Sequence, residues 1–322
     1  MQLQQLRYFL AVAETRHFTR AAEAEHVAQP SLSQQIRSLE RELGAELFHR
    51  TRGNIALTDA GDALLPLARR ILADTESARL AVQETVQLRR GRVRLGAPPS
   101  LCTSLVPDVL RVFRDRYPGV ALGVREGGSR DLVRWLAAGE LDLALIITPT
   151  SGEAAPALAV TELLHEALVL VSAERPGGGR PGGERPGGER RGRRTVRVAE
   201  LDGRPLVMFR EGYDVREAAL AACRAAGFEP EFAVEGGEMD AVLGFVRAGL
   251  GPAIVPGMVA ARSGLAVTPF AGPGLGRTIA VAHGHEVPLT RAAEALRATL
   301  LAHLRDAARS GELPPGTRLL LP

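Results

Sequence analysis

Apolar residues recur every three or four positions between residues 30 and 44, as Leu32, Ile36, Leu39 and Leu43. At about 100° of rotation per residue they fall on one narrow stripe of a helix. The opposite face carries Gln34, Arg37, Ser38 and Arg41, with Ser31 and Ser33 at the N-terminal end. Pro30 suits the first turn, where its missing N–H costs no hydrogen bond. Upstream, residues 18–25 predict a short helix with Phe18, Ala21 and Ala22 inward, and residues 26–29 a turn of the length two crossed helices need.

A longer helical rhythm runs over residues 58–90, with Leu64, Leu67, Ile71, Thr75, Ala78, Val82 and Val86 on one stripe. That stripe needs cover, either from a second copy in a two-helix seam or from its own domain. The scarcity of flanking apolar surface favours the seam. Pro66 should bend the helix. From residue 92 the pattern changes to short apolar strands alternating with helices, which predicts an α/β region with a mostly parallel sheet. Strands are expected over 92–97, 120–127, 141–147 and 166–172, then at PLVMF, FAVEG, PAIVP and 278–284. Helices are expected near 104–116, 130–138, 215–226, 239–248 and 290–308, giving two α/β units joined by two crossings. Residues 175–194 break the rhythm with RPGGG, RPGGE, RPGGE and RRGRR. So much glycine and proline cannot bury a core, and a disordered surface loop is expected. Such a loop is either a tolerated expansion or a source of salt-sensitive affinity for nucleic acid.

The side chains opposite the 30–44 stripe suit base reading. Gln presents a donor and acceptor pair to adenine, Arg forks onto guanine, and serine hydroxyls bond phosphates or base edges. A second reading is available, in which Ser31 and Gln34 form an S-x-x-Q capping box and the arginines are a solvated face. It leaves the preceding helix unexplained. Helix, turn and helix together predict a DNA-reading unit, with Arg20, Ser31, Ser33, Gln34, Arg37, Ser38 and Arg41 as its candidate contacts.

Composition narrows the setting. The chain has 322 residues, enough for more than one domain. No run of 18 uninterrupted apolar residues occurs and the N-terminus is polar, so a cytoplasmic protein without membrane contact is expected. The net charge of +3 misleads, because residues 174–194 alone carry seven Arg against three Glu. Residues 1–58 hold seven Arg and six Glu, so the placement of particular arginines must carry any argument for DNA. The two cysteines, Cys102 and Cys223, lack metal or disulfide spacing, and His283-x-His285 has no evident third ligand, so no metal or cofactor is expected.

The motifs LxxLRYFLAVAE (3–14), HFTRAAE (17–23), QPSLSQQIRSLERELGAELFHR (29–50) and ALTDAG (56–61) together resemble the N-terminal domain of LysR-type transcriptional regulators. The resemblance extends over nearly the whole chain. It implies a winged helix-turn-helix over 1–58, a dimerising linker helix over 59–90 and an effector-binding domain over 91–309. That domain would be built like periplasmic binding proteins, with lobe I at 91–165 and 269–309 and lobe II at 166–268, followed by a C-terminal tail at 310–322. Residues 48–57 would form the wing and place Arg50 and Arg52 over phosphates or a minor groove, unless these two are ordinary surface charge. The implied partners are double-stranded DNA, a second or fourth copy of the chain, RNA polymerase and a small-molecule effector, for which an anion is one option.

Ligands of open α/β sheets bind beyond the carboxyl ends of strands. The family pattern places Ser100, Leu101, Cys102, Thr103, Gly128, Ser129 and Thr148 of the first lobe there, with Phe209, Arg210, Gly212 and Glu238 of the second. Arg210 is the best carboxylate or phosphate contact, unless it pairs with Glu211. Ser100 and Thr103 have a helix-capping alternative, and Pro98 and Pro99 remove two N–H donors. Cys102 either lines the pocket or, near a helix N-terminus, carries a lowered pKa. An enzyme and a secreted solute-binding protein are the rival classes. No G-x-S-x-G, H-E-x-x-H, P-loop or strand-borne G-x-G-x-x-G supports the first, while the polar N-terminus and residues 1–58 oppose the second.

Overall fold

The computed structural model describes residues 1–51, 54–84, 91–148, 158–173, 195–272, 274–285 and 288–321. The N-terminal head consists of α1 (Leu3–Thr15), α2 (Phe18–Ala24), α3 (Gln29–Leu43), the hairpin β1 (Phe48–Thr51) and β2 (Asn54–Leu57), and the start of α4 (Asp59–Glu84). Leu32, Ile36 and Leu39 are fully buried under α1 and α2, and Phe48 brings the hairpin onto the same core against Phe9 and Phe18, ring centroids 5.4 and 5.9 Å away. The turn between α2 and α3 holds His26 at φ 56°. α3 starts from Ala28, whose side chain caps nothing, and ends at Gly44 with φ 70°, a left-handed conformation that glycine adopts without a Cβ penalty.

Two expectations change here. Ser31 lies inside the first turn of α3 and is not its cap, so the Ser31–Gln34 capping box does not form. Leu43 is 43% exposed; Glu40 is buried in its stead and accepts the N–H of Leu47 at 3.1 Å, because the chain beyond Gly44 folds back over that turn on its way to the wing.

The linker stripe divides. Ala68 is fully buried and Leu64 and Ile71 half-buried against the head's own core, whereas Leu67 is 56% exposed. The first half of α4 therefore finds part of its cover within its own chain, from α1, which the seam reading did not include. Val86 lies outside the described residues.

The effector region comprises β3 (Gly91–Ala97), α5 (Pro99–Cys102), α6 (Val106–Arg116), β4 (Val120–Glu126), α7 (Ser129–Ala137), β5 (Leu143–Thr148) and β6 (Leu158–Ser172). It continues through a 3-10 turn (Val198–Leu201), β7 (Leu206–Met208), α8 (Asp214–Ala225), β8 (Phe232–Glu235), α9 (Met239–Arg247), β9 (Ala253–Pro256), α10 (Gly257–Ser263) and β10 (Ala266–Pro269). β11 (Gly276–Gly284), α11 (Arg291–Ser310) and β12 (Thr317–Leu319) complete it. The helix expected near 104–116 is α6, preceded by the short α5 that was not anticipated; each has proline in its first turn.

The sheet is mixed, correcting the mostly parallel expectation. β3 pairs in parallel with β4 and β5, but β11 runs antiparallel to β5 and β6, and β6 antiparallel to β9, β10 and β12. The cause is the double crossing: β11 enters lobe I from lobe II, so it runs against the strands that started there. β6 is longer than the segment 166–172, pairing with β11 up to Ala167 and with β9 from Leu168, so one strand passes through both lobes. The presumed tail returns as β12 on the edge of β6, and α10 and β10 carried no signal strong enough to be read. Lobe I packs α6 and α11 on one sheet face and α7 on the other; lobe II closes its own core around Leu170, Val207, Phe209 and Val242. Residues 175–194 lie outside the described residues.

Thr58 and Gly61 fix the wing to α4. The Thr58 hydroxyl donates to the Glu46 carbonyl at 2.6 Å and accepts the Gly61 N–H at 3.1 Å, while a Cβ on Gly61 would strike the Leu47 carbonyl oxygen and lie 2.8 Å from Leu57 Cδ2. Gly61→Ala is expected to destabilise the head by about 1–3 kcal/mol through overpacking. Urea denaturation followed by circular dichroism measures this, and a midpoint equal to that of the unsubstituted chain would refute the close approach.

Candidate DNA interface and effector cleft

Gln34, Arg37 and Arg41 are exposed on the face of α3 opposite the buried stripe, Ser31 is exposed at its N-terminal end, and Arg20 is exposed on α2. Ser33 and Ser38 are half-buried, and the Ser33 hydroxyl accepts from Gln29 Nε2 at 2.9 Å. Arg50 stands in β1 opposite Ile55; Arg52 lies outside the described residues. Of the expected contacts, Gln34, Arg37 and Arg41 share the outward face of α3. Gln29, which sequence reasoning passed over, is the residue that orients Ser33.

Of the expected effector residues, Gly128 and Ser129 of lobe I lie against lobe II. Ser129 begins α7 in lobe I; its hydroxyl donates to Asp214 Oδ2 at 2.9 Å, at the start of α8 in lobe II, and accepts the Ile147 N–H at 3.0 Å. Next to it Gly128 lies so near lobe II that a Cβ there would come within 3.1 Å of the Gly212 carbonyl oxygen. Gly212 has φ 74°, which suits glycine. Thr148 ends β5 with its hydroxyl 3.4 Å from the Thr278 carbonyl.

Ser100 is fully buried and accepts from Arg277 Nη1 at 2.9 Å, so its hydroxyl is held by β11 and does not cap α5. The Thr103 hydroxyl turns back to the Ser100 carbonyl at 3.1 Å. Leu101 is fully buried in the lobe I core, a correction to its place among ligand contacts. Its side chain follows the apolar face of α5 into the sheet.

Charge bears on two further readings. The Cys102 thiol, which donates to the Ala97 carbonyl at 3.8 Å, is pushed up to about 12 by burial and by the Glu126 carboxylate, so of its two readings the lowered pKa of a reactive cysteine is excluded. Arg210 forms a half-exposed ion pair. Its Nε bonds Glu238 Oε1 at 2.6 Å and its Nη1 the Glu211 carbonyl at 3.0 Å, so the pairing partner is Glu238, while Glu211 offers only its backbone. Phe209 is buried, stacked on Tyr213 at 4.6 Å, and its carbonyl accepts from Arg216.

Sequence reasoning missed the groups that organise this junction. Glu166 is fully buried and Arg277 nearly so. Glu166 Oε2 accepts from Arg277 Nε at 2.9 Å and Oε1 from the Met258 N–H at 2.7 Å, so β6, β11, α10 and α5 converge on one ion pair. Tyr213, Asp214 and Glu126 were also passed over. A charged residue within an otherwise apolar strand, as Glu166 is in EALVLVS, was the available signal.

Family-model comparison matches residues 3–62 to the bacterial regulatory helix-turn-helix protein, lysR family, and residues 87–305 to the LysR substrate binding domain. The chain belongs to the LysR family of transcriptional regulators. It is 33% identical to the transcriptional dual regulator GltC of Bacillus subtilis over 258 residues, 80% of this chain and 81% of that one. It is 28% identical over 312 residues to the DNA-binding transcriptional dual regulator OxyR of Escherichia coli, covering 94% and 97%. Among solved structures, a full-length OxyR variant from Pseudomonas aeruginosa superposes with a TM-score of 0.70 at 27% identity, covering 93% and 94%, and CbnR, a LysR family transcriptional regulator, with 0.66 at 25%, covering 96% and 99%. This LysR-type regulator therefore joins a DNA-binding head to an effector-binding domain. No helix among its described residues is long and apolar enough to cross a membrane.

Burial at the junction raises the Asp214 carboxyl above its ordinary range, more than the Ser129 hydroxyl and Arg277 pull it down. The folded chain then holds a proton in a window where the unfolded chain has released it, so this group's contribution to stability falls as pH rises through the raised value. Asp214→Asn, which cannot ionise and can still accept from Ser129, is expected to raise the melting temperature at neutral pH and to flatten that slope. A lower melting temperature for the variant at neutral pH would mean that the carboxylate stabilises the junction.

Proposed function

We propose that this regulator reads an imperfect dyad in double-stranded DNA through α3, with Gln34 and Arg37 contacting base edges and Ser31, Ser33, Ser38, Arg41 and Arg20 fixing register on base edges and phosphates. Arg50 and Arg52 of the wing add contacts to the flanking backbone. The observation that carries this reading is the opposition on α3 of a fully buried Leu32–Ile36–Leu39 stripe and an exposed Gln34–Arg37–Arg41 face. Residues 1–58 form the reading unit, 59–90 the dimerising linker and 91–309 the effector domain. A homodimer, paired into a homotetramer, spaces the heads. The protein works in the cytoplasm, where it meets DNA and RNA polymerase.

A small molecule bound between the lobes sets their relative orientation and, through it, the spacing of the heads. A chain of charges supports the transmission. Arg69 of α4 reaches both Glu14 of α1, at 3.4 Å, and Glu140 of lobe I, at 3.0 Å; Glu140 also pairs with Arg125, whose guanidinium lies 3.6 Å from the Trp135 ring centroid. Arg125 immediately precedes Glu126 at the junction, so a change there has a polar route to the head.

Gln34→Ala and Arg37→Ala are each expected to weaken binding to the cognate site about 5- to 150-fold, the worth of one bidentate base contact. Genomic-fragment recovery and footprinting with the purified variants read this out, and unchanged footprints would refute the role of α3. Leu67→Arg should dissociate the dimer in sedimentation velocity, because it places a charge on the exposed stripe of α4. Dimers that persist would move the seam elsewhere.

A further inference from the structure

α4 does not close fully against lobe I. The chain leaves α7 through small residues, and a Cβ on Gly139 would come within 2.6 Å of the Ala73 Cβ, so helix and lobe touch at that point. Beside the contact a cavity of about 110 Å³ remains. Stretches far apart in the chain wall it: Arg70, Ala73 and Asp74 of α4, the segment from Leu136 to Asp142 that joins α7 to β5, and Leu158, Gly284 and Leu289, where β6 begins, β11 ends and the chain approaches α11. Ala137, His285 and Pro288 are exposed at its edge, which gives a small molecule access.

The wall is largely apolar and its charges are matched. Leu136 and Leu141 are buried, while Leu158 and Leu289 remain half-buried. Among the described lining residues the charged groups are Arg94, Asp142, Arg70 and Asp74, with His285 at the rim. Asp142 holds the Arg94 side chain through Nη2 at 2.6 Å and Nε at 3.3 Å, and Arg70 Nε lies 3.9 Å from Asp74 Oδ2 along α4. Each arginine thus has a carboxylate beside it, and an ionic guest would lose its water with no unmatched opposite charge to meet. An uncharged guest avoids that cost and gains from the leucines. One polar opening is left. A carboxylate offers about four acceptor positions. Among the described residues, Asp142 Oδ2 takes the Arg94 N–H and Nε, and Oδ1 takes only Nη2, which leaves room at Oδ1 for one donor from a guest.

We propose that this cavity is a second ligand site, apart from the cleft between the lobes, for an uncharged ring-sized molecule carrying one hydroxyl or ring N–H, as phenols and indoles do. The size agrees, since a void of roughly 150 Å³ holds one benzene ring. The donor of the guest bonds the Asp142 carboxylate and its ring packs on the leucines. Such a guest touches α4 and lobe I together. It therefore favours the arrangement in which Ala73 lies on Gly139 and Arg69 reaches Glu140 at 3.0 Å, and it ties the head more firmly to the effector domain. The site does not rest on the reading of the cleft, because none of its lining residues is among those expected to hold the effector.

The test is calorimetric titration of the purified full-length protein with phenol and indole up to millimolar concentration, beside toluene, which lacks the donor, and benzoate, which carries a charge. Phenol or indole should bind, and toluene and benzoate should bind about tenfold or more weakly. Ala137→Leu starts from an exposed position and puts a larger side chain at the mouth, so it should weaken the same probe about tenfold while leaving the ligand-free melting curve unchanged. Hydrogen exchange on the unsubstituted protein locates the site without relying on that variant: bound probe should slow exchange both in α4 around Ala73 and in residues 136–142. Absence of phenol and indole binding overturns the proposal, as does toluene or benzoate binding as tightly as they do. Slowed exchange confined to the junction of the two lobes also overturns it, by placing the probe in the cleft, and leaves the cleft reading standing.

Discussion

Glu166 and Arg277 form an ion pair with almost no access to solvent, and the effector domain is arranged around it. Removing one member of such a pair costs about 3–5 kcal/mol, because the survivor is left charged and buried. The pair is also distributed: the carboxylate takes the Met258 amide at the start of α10, and the guanidinium takes the Ser100 hydroxyl in α5. Both charges sit where β6 and β11 carry the chain between lobes. Polar contacts therefore tie the crossing strands to both lobes, alongside apolar packing that includes Met258 of α10 in the lobe I core.

The same arrangement bears on the proposed coupling between the lobes. Where the lobes meet, Gly128 lies against the Gly212 carbonyl and Ser129 bonds Asp214, a carboxyl whose ionised form is held at a disadvantage. A contact of this kind is easily biased by a ligand that changes the local charge. The ion-pair chain through Arg125, Glu140, Arg69 and Glu14 links the neighbouring strand end to the first helix of the head. Its members are partly exposed, so each pair contributes little stability; the chain matters for geometry. α4 is pressed against the same part of lobe I, with Gly139 so close to Ala73 that no side chain fits between them.

The head was legible from the chain because its signals are local. A helix reveals its buried stripe within four turns, and the turn before α3 spans a handful of residues. The errors at its edges were local too. Leu43 continued the period but lies beyond the point where the chain folds back, so Glu40 took the buried place. Ser31 had capping chemistry but stood three residues inside the helix. The linker stripe was seen, but a single chain could not say how much of it the head itself would cover.

The cleft was read less well, for a reason of distance along the chain. Ser129, Gly128, Gly212 and Glu238 were placed near it by resemblance and by the rule that ligands lie beyond strand ends. The roles of Arg277 and Glu166 could not be read, because Arg277 meets Glu166 across 111 positions and Ser100 across 177. Arg210 was read as an anion contact or a partner of Glu211, and its carboxylate partner is Glu238, 28 positions on. Sequence by itself indicated most of the elements, the amphipathic α3 and the plan of two α/β units, since periodicity and motif spacing are properties of neighbouring residues. Only the tertiary structure decided the strand directions and the partner of each charge, because those depend on which distant segments the double crossing brings together.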